Sequence, residues 1–359
     1  MDAFKSDHYV PVLFTKAGER DALKALDDAS KVALTPLLVV HPIAYDFERD
    51  QPEKTIDAHL AKLPSELVKS WGKRDAFIDV RHVDDGEAMA DGSHPIQWIV
   101  SNARAEGLTL IPVVTPSNSA QYVDGVRQLL SGQTDEVCLR LDAGEWPIPP
   151  QDAAIDRFIQ NLGATRSTVH LVLDLKDETE ASARFAIATA LRNLTSPGSW
   201  KTLTVTATAM PQVTPPGRGI HEVPRAEWLN YRDLVDNTKF GARQPTFGDY
   251  GIAHPDPLAD IDPRMLQISA KLKYTCEDKW LLVRGGLFKG NAGRSGGSDE
   301  IRPVARQLAA HDEFDNAHCG GERWIAAAAG TGPAGNPRTW VKIGTWHHLQ
   351  RVVDQIELT

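Results

Sequence analysis

The sequence contains few cysteines, and their spacing excludes a disulfide framework. Its 359 residues include three, Cys138, Cys276 and Cys319, an odd number with no C-x-x-C pair. The apolar run at residues 9–14 is too short, and its approach too acidic, for a secretory signal peptide. These features predict a reduced protein in the cytoplasm.

Long hydrophobic runs and an excess of positive charge are also missing. No stretch of 18 apolar residues occurs, so no transmembrane helix and no membrane partner are expected. The 39 basic and 48 acidic side chains give a net charge of -9, which argues against a grip by the whole surface on nucleic acid or anionic lipid. The content of 42% hydrophobic and 24% charged residues is that of an ordinary folded protein.

Short apolar runs alternate along the chain with segments of helical periodicity, which is typical of βαβ units and a parallel sheet. Strands are predicted at residues 9–14, 35–40, 76–80, 108–114, 136–141, 168–175, 202–209 and 246–251. Helices are predicted between them at residues 17–26, 56–71, 95–106, 120–131, 152–162, 181–194 and 225–235. Eight strands separated by seven helices predict an α/β protein with a single TIM-type (β/α)8 barrel over residues 1–359.

After residue 251 the pattern changes. Residues 265–274 and 279–284 are predicted to form a hairpin, and a glycine-rich stretch then leads into a helix at 301–314. A last helix is predicted at 345–356. The hairpin and the glycine-rich stretch, residues 262–300, are therefore interpreted as an insertion in the last βα unit of the barrel.

Charged residues recur at the predicted carboxyl ends of the strands, where the active sites of such barrels lie. Three strand ends pair an acid with a base two residues apart, and side chains two residues apart share one face of a strand. These pairs are Asp79 with Arg81, Arg140 with Asp142, and Asp174 with Lys176. Further polar residues at these ends are Lys16, Glu19, His41, Asp249 and Tyr250. We expect the whole set to surround the mouth of the barrel, because apolar helices cover its outer face.

This composition favours the binding of an anion at the mouth. The candidate anion ligands are Arg81, Arg140, Lys176 and Arg284, and the candidate catalytic acids or bases are Asp142, Asp174 and Asp249. One alternative is that the pairs only close the top of the core as ion pairs. Another is a hard cation such as magnesium held by Asp79, Asp142, Asp174 and Asp249, although the sequence requires no cofactor.

The glycine-rich stretch follows a strand and precedes a helix. Its free N–H groups, with Arg284, Lys289 and Arg294, would suit a phosphate or another anion; the alternative is a surface loop. His347 and His348 are adjacent and point in different directions on a helix, so a structural role is expected for them rather than a metal pair.

Threonine occupies every second position from Thr202 to Thr208 in the seventh predicted strand. If this face points inward, Thr206 and Thr208 are predicted to contact a ligand. If it points outward, the threonines pack against helices as residues that favour β-structure.

Several short motifs resemble the beta protein family, named after a bacteriophage protein and found in bacterial chromosomes and prophages. They are Tyr9-Val-Pro-Val-Leu followed by Lys16-Ala-Gly-Glu19, Phe247-Gly-Asp-Tyr250 followed by His254-Pro255, Tyr274 with Trp280-Leu-Leu-Val-Arg-Gly285, and Gly344-Thr-Trp-His-His348. The resemblance covers nearly the whole chain and implies functional positions at Lys16, Glu19, Asp249, Tyr250, Arg284, Lys289 and His348. It also implies mobile or phage-defence gene neighbourhoods, and it implies no reaction.

Three functional hypotheses follow. The first is a barrel protein that binds a phosphorylated or other anionic ligand at the carboxyl ends of its strands, with hydrolysis of that ligand as an extension. The second is a non-catalytic interaction component of a phage-defence or toxin–antitoxin-like system, which would hold a protein partner at the hairpin through Tyr274 and Trp280. The third, single-stranded nucleic-acid binding through Lys271, Lys273, Lys289 and Arg294, is disfavoured by the net charge.

Overall fold

A computed structural model describes residues 1, 3–83, 86–132, 135–237, 240, 243–257, 268–289 and 297–358. Its strands are β1 (Tyr9–Phe14), β2 (Leu37–Val39), β3 (Tyr45–Asp46), β4 (Gln51–Pro52), β5 (Ala76–Asp79), β6 (Leu110–Val114), β7 (Val137–Asp142), β8 (Val169–Asp174), β9 (Thr202–Ala207), β10 (Gly219–Pro224), β11 (Thr246–Asp249), β12 (Ile268–Thr275) and β13 (Lys279–Lys289). Its helices are α1 (Ala17–Ala25), α2 (Asp28–Val32), α3 (Ile56–Leu60), α4 (Leu63–Trp71), α5 (Pro95–Ala105), α6 (Ala120–Gly132), α7 (Asp152–Asn161), α8 (Ala181–Asn193), α9 (Ala226–Asn237), α10 (Ile301–Ala309), α11 (Gly320–Ala329) and α12 (Pro337–Glu357).

Eight parallel strands close into a barrel, in the order β1, β2, β5, β6, β7, β8, β9 and β11. Closure occurs where β11 pairs with β1, with Asp249 opposite Pro11. Each of the eight predicted strands overlaps one strand of this barrel. The predicted (β/α)8 barrel is therefore confirmed.

Successive side chains of each strand point alternately into the barrel and outwards to the surrounding helices. Val10, Val12 and Phe14 of β1 belong to the cluster that fills the interior, together with inward residues of other strands such as Cys138 and Tyr250. The intervening residues join the larger core under the helices. Because both faces are buried, these strands consist of continuous apolar runs.

The last helix, α12, completes the coat of the barrel. It begins at Pro337 after the cap residue Asn336, whose side chain accepts from the N–H of Thr339. Its second half, including Leu349 and Val353, packs into the core around the barrel. Its first half belongs to a separate core, so α12 joins the barrel to the insertion.

Beside the barrel, β12 and β13 join β10 in an antiparallel sheet in the order β10, β13, β12. We call this sheet, together with α10 and α11, the insertion, which is larger than the predicted residues 262–300. The predicted hairpin is present as β12 and β13, whereas β10, from between β9 and α9, was not predicted. One face of β12, including Leu272 and Tyr274, packs with α10 and α11 in the core of the insertion. The other face, with Lys271 and Lys273, points towards the barrel mouth.

The glycine-rich stretch differs from the predicted phosphate-binding loop in the part that is described. Residues 284–289 continue β13, and residues 290–296, including Arg294, lie outside the described residues. A Cβ on Gly285 would lie 2.5 Å from Val304 Cγ2 of α10, whereas one on Gly286 would meet only the carboxylate end of the Glu300 side chain. Glycine at position 285 therefore allows α10 to pack closely on the sheet.

No helix among the described residues combines the length and the apolar character needed to cross a bilayer.

Candidate functional site

The mouth of the barrel contains a buried network of charges centred on Arg140. Its guanidinium lies 2.9 Å from Asp79 and 2.7 Å from Asp174, and its side chain is 1% exposed. Its Nη2 donates to the Tyr250 hydroxyl at 2.6 Å, and that hydroxyl contacts Asp174 at 2.7 Å. Arg81 adds a bond from its Nε to Asp79 at 2.8 Å. Four of the predicted site residues therefore meet around one arginine.

The network balances its own charges. Burial raises the pKa of a carboxyl group, but Arg81 and Arg140 together hold the pKa of Asp79 below its usual value. Burial opposes ionisation of Asp174 too, yet Arg140 and Arg81 hold its pKa low. With both carboxylates ionised, two positive charges face two negative charges, so no net charge remains for a ligand.

The threonine face of β9 points inward and is also committed to this network and its surroundings. Thr206 donates to Asp174 at 3.0 Å, and Thr204 contacts Thr246 of β11 at 2.8 Å. The Thr208 hydroxyl accepts from the N–H of Met210. These hydroxyls contact protein groups, which explains why threonine recurs on the inward face of this strand.

A second ion pair lies at the rim rather than on the axis. Lys176 Nζ contacts Asp142 at 2.8 Å, and the two side chains are 38% and 49% exposed. An open groove of about 520 Å³ runs beside this pair and is lined by Arg81, Asn118 and Asp142. The predicted residues Asp142 and Lys176 are thus accessible to solvent, unlike Arg140 and Asp174.

Asp249 lies on the outer face of the barrel, which corrects its predicted place in the mouth. It is adjacent to the inward Tyr250, and successive strand residues point to opposite faces. Its carboxylate accepts from Tyr9 and lies 2.9 Å from His348 Nε2 of α12. His348 Nδ1 contacts the Thr275 hydroxyl at 2.9 Å, and Trp280 stacks on the ring. Asp249 and His348 therefore join α12 to the barrel.

The four aspartates considered for a hard cation, Asp79, Asp142, Asp174 and Asp249, do not converge on one point.

A second cleft at the carboxyl ends of the strands lies between the barrel and β12. It has a volume of about 460 Å³. From the barrel it receives Lys16 after β1, His41 after β2 and the segment after β11 that includes His254. From the sheet it receives Ser269, Lys271 and Lys273, the polar face of β12. We call this space the lysine cleft.

The start of α1 shapes one end of the lysine cleft. A Cβ on Gly18 would lie 2.7 Å from Val341 Cγ1, so glycine at this position allows α12 to approach α1. That approach buries the neighbouring Glu19, which is 8% exposed and lines the cleft. The Lys16-Ala-Gly-Glu19 motif therefore places one exposed lysine and one buried carboxyl at the same opening.

The cleft shifts the titration of the groups that line it. Burial and the neighbouring Lys271 lower the pKa of Lys273 to about 7 although Glu19 opposes the shift, and its Nζ donates to the carbonyl of Ile252 at 2.6 Å. Burial raises the pKa of Glu19 against the effect of nearby lysines and Arg20. Burial, with neighbours that include Lys16, lowers the pKa of His41 to about 3. Burial is the main cause of all three shifts, and neighbouring cations contribute further to the lowered pKa values of Lys273 and His41.

One predicted ligand residue, Arg284, does not reach the mouth. Arg284 lies on β13, where its guanidinium donates to the Ser269 hydroxyl at 3.3 Å and to the carbonyl of Pro215 at 3.2 Å. These bonds tie the segment before β10 to the sheet, which places Arg284 with the insertion rather than with Arg81 and Arg140. Lys289 is the last residue of β13, and its side chain lies outside what is described.

Lys271 and Lys273 line the lysine cleft, whereas the sequence predicted them only as contacts to nucleic acid. The signal is present in residues 268–275, where polar and apolar residues alternate with the period of a strand exposed on one face. What the polar face is turned towards depends on how the sheet packs against the barrel.

Comparison with known proteins identifies a family and nothing closer. The family model described as Beta protein matches residues 9–354. Neither a curated protein nor a solved structure matches the chain. The matched region runs from the first strand of the barrel into its last helix, and so includes the mouth, the lysine cleft and the insertion. The chain therefore belongs to the Beta protein family.

Proposed function

We propose that this protein binds a small anionic ligand, such as a phosphorylated metabolite, in the lysine cleft. The observation that carries the proposal is the meeting of Lys16, Lys271 and Lys273 in one cleft at the carboxyl ends of the barrel strands. A volume of about 460 Å³ falls in the usual range for small-molecule sites. Active sites of such barrels lie at the same end.

The charge balance of the cleft supports an anion rather than a cation. Three lysines line it against two acidic side chains, Glu19 and Asp256. The pKa of Glu19 is raised by burial, which favours its neutral form. Arg81 and Arg140 form ion pairs with buried aspartates. The lysines of the cleft are therefore better candidates for the anion-binding role that was predicted for these arginines.

The same groups offer proton-transfer chemistry, which extends the proposal to hydrolysis. A lysine with a pKa of about 7 is partly neutral at physiological pH and can accept a proton. A buried carboxylic acid with a raised pKa can donate one. On a ligand held by Lys16 and Lys271, neutral Lys273 would accept a proton from the attacking water, and protonated Glu19 would donate one to the leaving group as its bond to the ligand breaks.

The interaction-component hypothesis loses its proposed anchors. Tyr274 and Trp280 are 2% and 0% exposed and belong to interior clusters, so neither can be presented to a partner. A role in phage defence or in a toxin–antitoxin-like system therefore has no docking residues of this kind to support it. The nucleic-acid hypothesis is tested by including a single-stranded oligonucleotide in the ligand screen.

The test is a thermal-shift screen followed by calorimetry. The panel contains inorganic phosphate, pyrophosphate, sugar phosphates, nucleotides, dicarboxylates and a short single-stranded oligonucleotide, each with and without magnesium. A ligand that binds only the folded protein stabilises it by about 2.7 kcal/mol at a hundredfold excess over its Kd. We expect a small anion to raise the Tm. If only the oligonucleotide does so, the proposal gives way to nucleic-acid binding.

Lys271→Met and Lys24→Met form a matched pair of variants. Both lysines are exposed, but only Lys271 lines the cleft. Because a hydrogen bond to a charged group is worth about 1.5–3 kcal/mol, we expect Lys271→Met to weaken binding at least tenfold. Lys24→Met should leave the Kd unchanged. The proposal fails if no anion binds the wild type, or if both variants bind it equally well.

A further inference from the structure

Three side chains with metal-binding donor atoms converge where the insertion meets α12. They are Cys319, which caps α11, Glu322 in the first turn of α11, and His347 in the middle of α12. One ligand atom from each lies within 4.8 Å of those of the other two. This is the only group of three or more such residues found in the part of the chain that the structure describes.

Local hydrogen bonds orient these three groups towards one point. The N–H of Cys319 donates to Glu322 Oε2 at 2.9 Å, which leaves Oε1 turned towards α12. The thiol of Cys319 accepts from the N–H of Gly321. His347 Nε2 lies 2.8 Å from the carbonyl oxygen of Thr275, and since a carbonyl only accepts, Nε2 carries the hydrogen.

In its neutral form with the hydrogen on Nε2, His347 has a lone pair on Nδ1 that faces Glu322 Oε1; in its protonated form the two atoms make an imidazolium–carboxylate pair. Neither atom has another hydrogen-bond partner among the described residues. The side chains are 2% and 0% exposed, so water does not relieve this contact. A proton on Nδ1 would satisfy both atoms, and a metal ion bound by both of them and by Cys319 would do so in its place.

The surroundings of His347 match those of a metal ligand. Metal-binding histidines commonly donate their other ring N–H to a carbonyl or carboxylate, which fixes the tautomer and the ring. The Thr275 carbonyl has that role here, and Tyr274 stacks on the ring with centroids 4.0 Å apart. His318 lies next to Cys319 and its ring packs against that of His347, but its Nε2 faces Asp354 Oδ2 at 3.5 Å and lies outside the cluster.

We propose that Cys319, Glu322 and His347 bind a divalent transition-metal ion of the zinc type. Thiolate, imidazole and carboxylate donors together select zinc and its neighbours, whereas magnesium and calcium prefer oxygen alone. A water molecule would complete four-coordination. The ion would join α11 of the insertion to α12 of the barrel, and the burial of all three ligands favours a structural role over a catalytic one.

The first test is metal content and cobalt binding. The purified full-length protein is analysed for zinc, stripped with a chelator and titrated with Co²⁺, whose thiolate complexes give a charge-transfer band in the near ultraviolet. We expect about one ion per chain. The proposal is overturned if the wild type gives neither bound zinc nor this band, because His347 and Glu322 then form a plain imidazolium–carboxylate pair.

Variants of two buried cysteines locate the ion. Cys319→Ser should lose the charge-transfer band, while Cys276→Ser, which changes a buried thiol outside the cluster, should keep it. A band retained in Cys319→Ser would overturn the assignment. If Cys319→Ser does not fold, X-ray absorption of the zinc-loaded wild type decides: one sulfur with imidazole in the coordination sphere supports the site, and a sphere of oxygen alone overturns it.

Discussion

Replacing Arg140 with methionine tests whether a charge network holds the barrel mouth together. Methionine keeps part of the aliphatic stem but removes the guanidinium that lies 2.9 Å from Asp79 and 2.7 Å from Asp174. Arg81 would then be the nearest cation, at 2.8 Å from Asp79 but 3.9 Å from Asp174. Removing one partner from a buried ion pair costs about 3–5 kcal/mol, and we expect a loss of that size.

Lys176→Met is the matched control, because it also removes one positive charge from a pair with an aspartate. Its partner Asp142 and Lys176 itself are half-exposed, and exposed pairs contribute only about 0–1 kcal/mol. The assay is urea unfolding at pH 7 with the midpoint and slope measured for both variants. We expect equal slopes for the two variants and a much lower midpoint for Arg140→Met alone.

The pH dependence provides an independent check. In the wild type, Arg140 and Arg81 outweigh burial and hold the pKa of Asp174 below 3.8, so the network stabilises the protein above that pH and is lost on further acidification. Without Arg140, burial raises the carboxyl pKa, and protonation relieves the unpaired charge as the pH falls from 7 towards 4. The difference in free energy of unfolding between the wild type and Arg140→Met should therefore become smaller as the pH falls. A loss no larger than that of Lys176→Met, or one independent of pH, would refute the argument.

Two further predictions concern the barrel wall and the lysine cleft. Gly248→Ala should lower the free energy of unfolding, measured in urea, by about 1–3 kcal/mol or more, because its Cβ would lie 2.5 Å from Thr206 Cγ2. The control is Gly132→Ala, which has open space around its Cβ and should leave the free energy of unfolding unchanged or raise it slightly. The affinity for the anion, measured by calorimetry, should fall as the pH rises from 6 to 8, because Lys273 with a pKa of about 7 loses its charge. Lys273→Met should abolish this pH dependence. An unchanged pH profile in Lys273→Met would contradict the role given to Lys273.

The barrel was predictable because its strands are buried on both faces and so consist of continuous apolar runs. By contrast, β10 was not predicted. It is only six residues long, it ends in Pro224, and its residues are exposed or half-exposed. It becomes a strand because β13, more than fifty residues further along the chain, pairs with it. Such tertiary pairing leaves no periodic signal in the segment itself.

The candidate site was predictable in position but not in orientation. Strand ends could be located from the apolar runs, and Arg140 with its two aspartates does lie at the mouth. Neighbours such as Asp249 and Tyr250 face opposite sides, and a shift of one residue exchanges them. No local rule shows that Tyr250 is the inward one. The convergence of Glu322 with His347 likewise depends on the packing of α11 against α12.

The pairing of β1 with β11 has a consequence for synthesis on the ribosome. The partners Pro11 and Asp249 are separated by most of the chain. At about 5–20 residues per second, roughly 10–50 s pass before the second strand follows the first out of the ribosome. During that interval one edge of β1 has no strand to pair with, and α12, which covers it, is made later still. Nascent chains of this protein therefore expose a hydrophobic strand edge, and we expect a chaperone that shields such edges to increase the yield of folded protein.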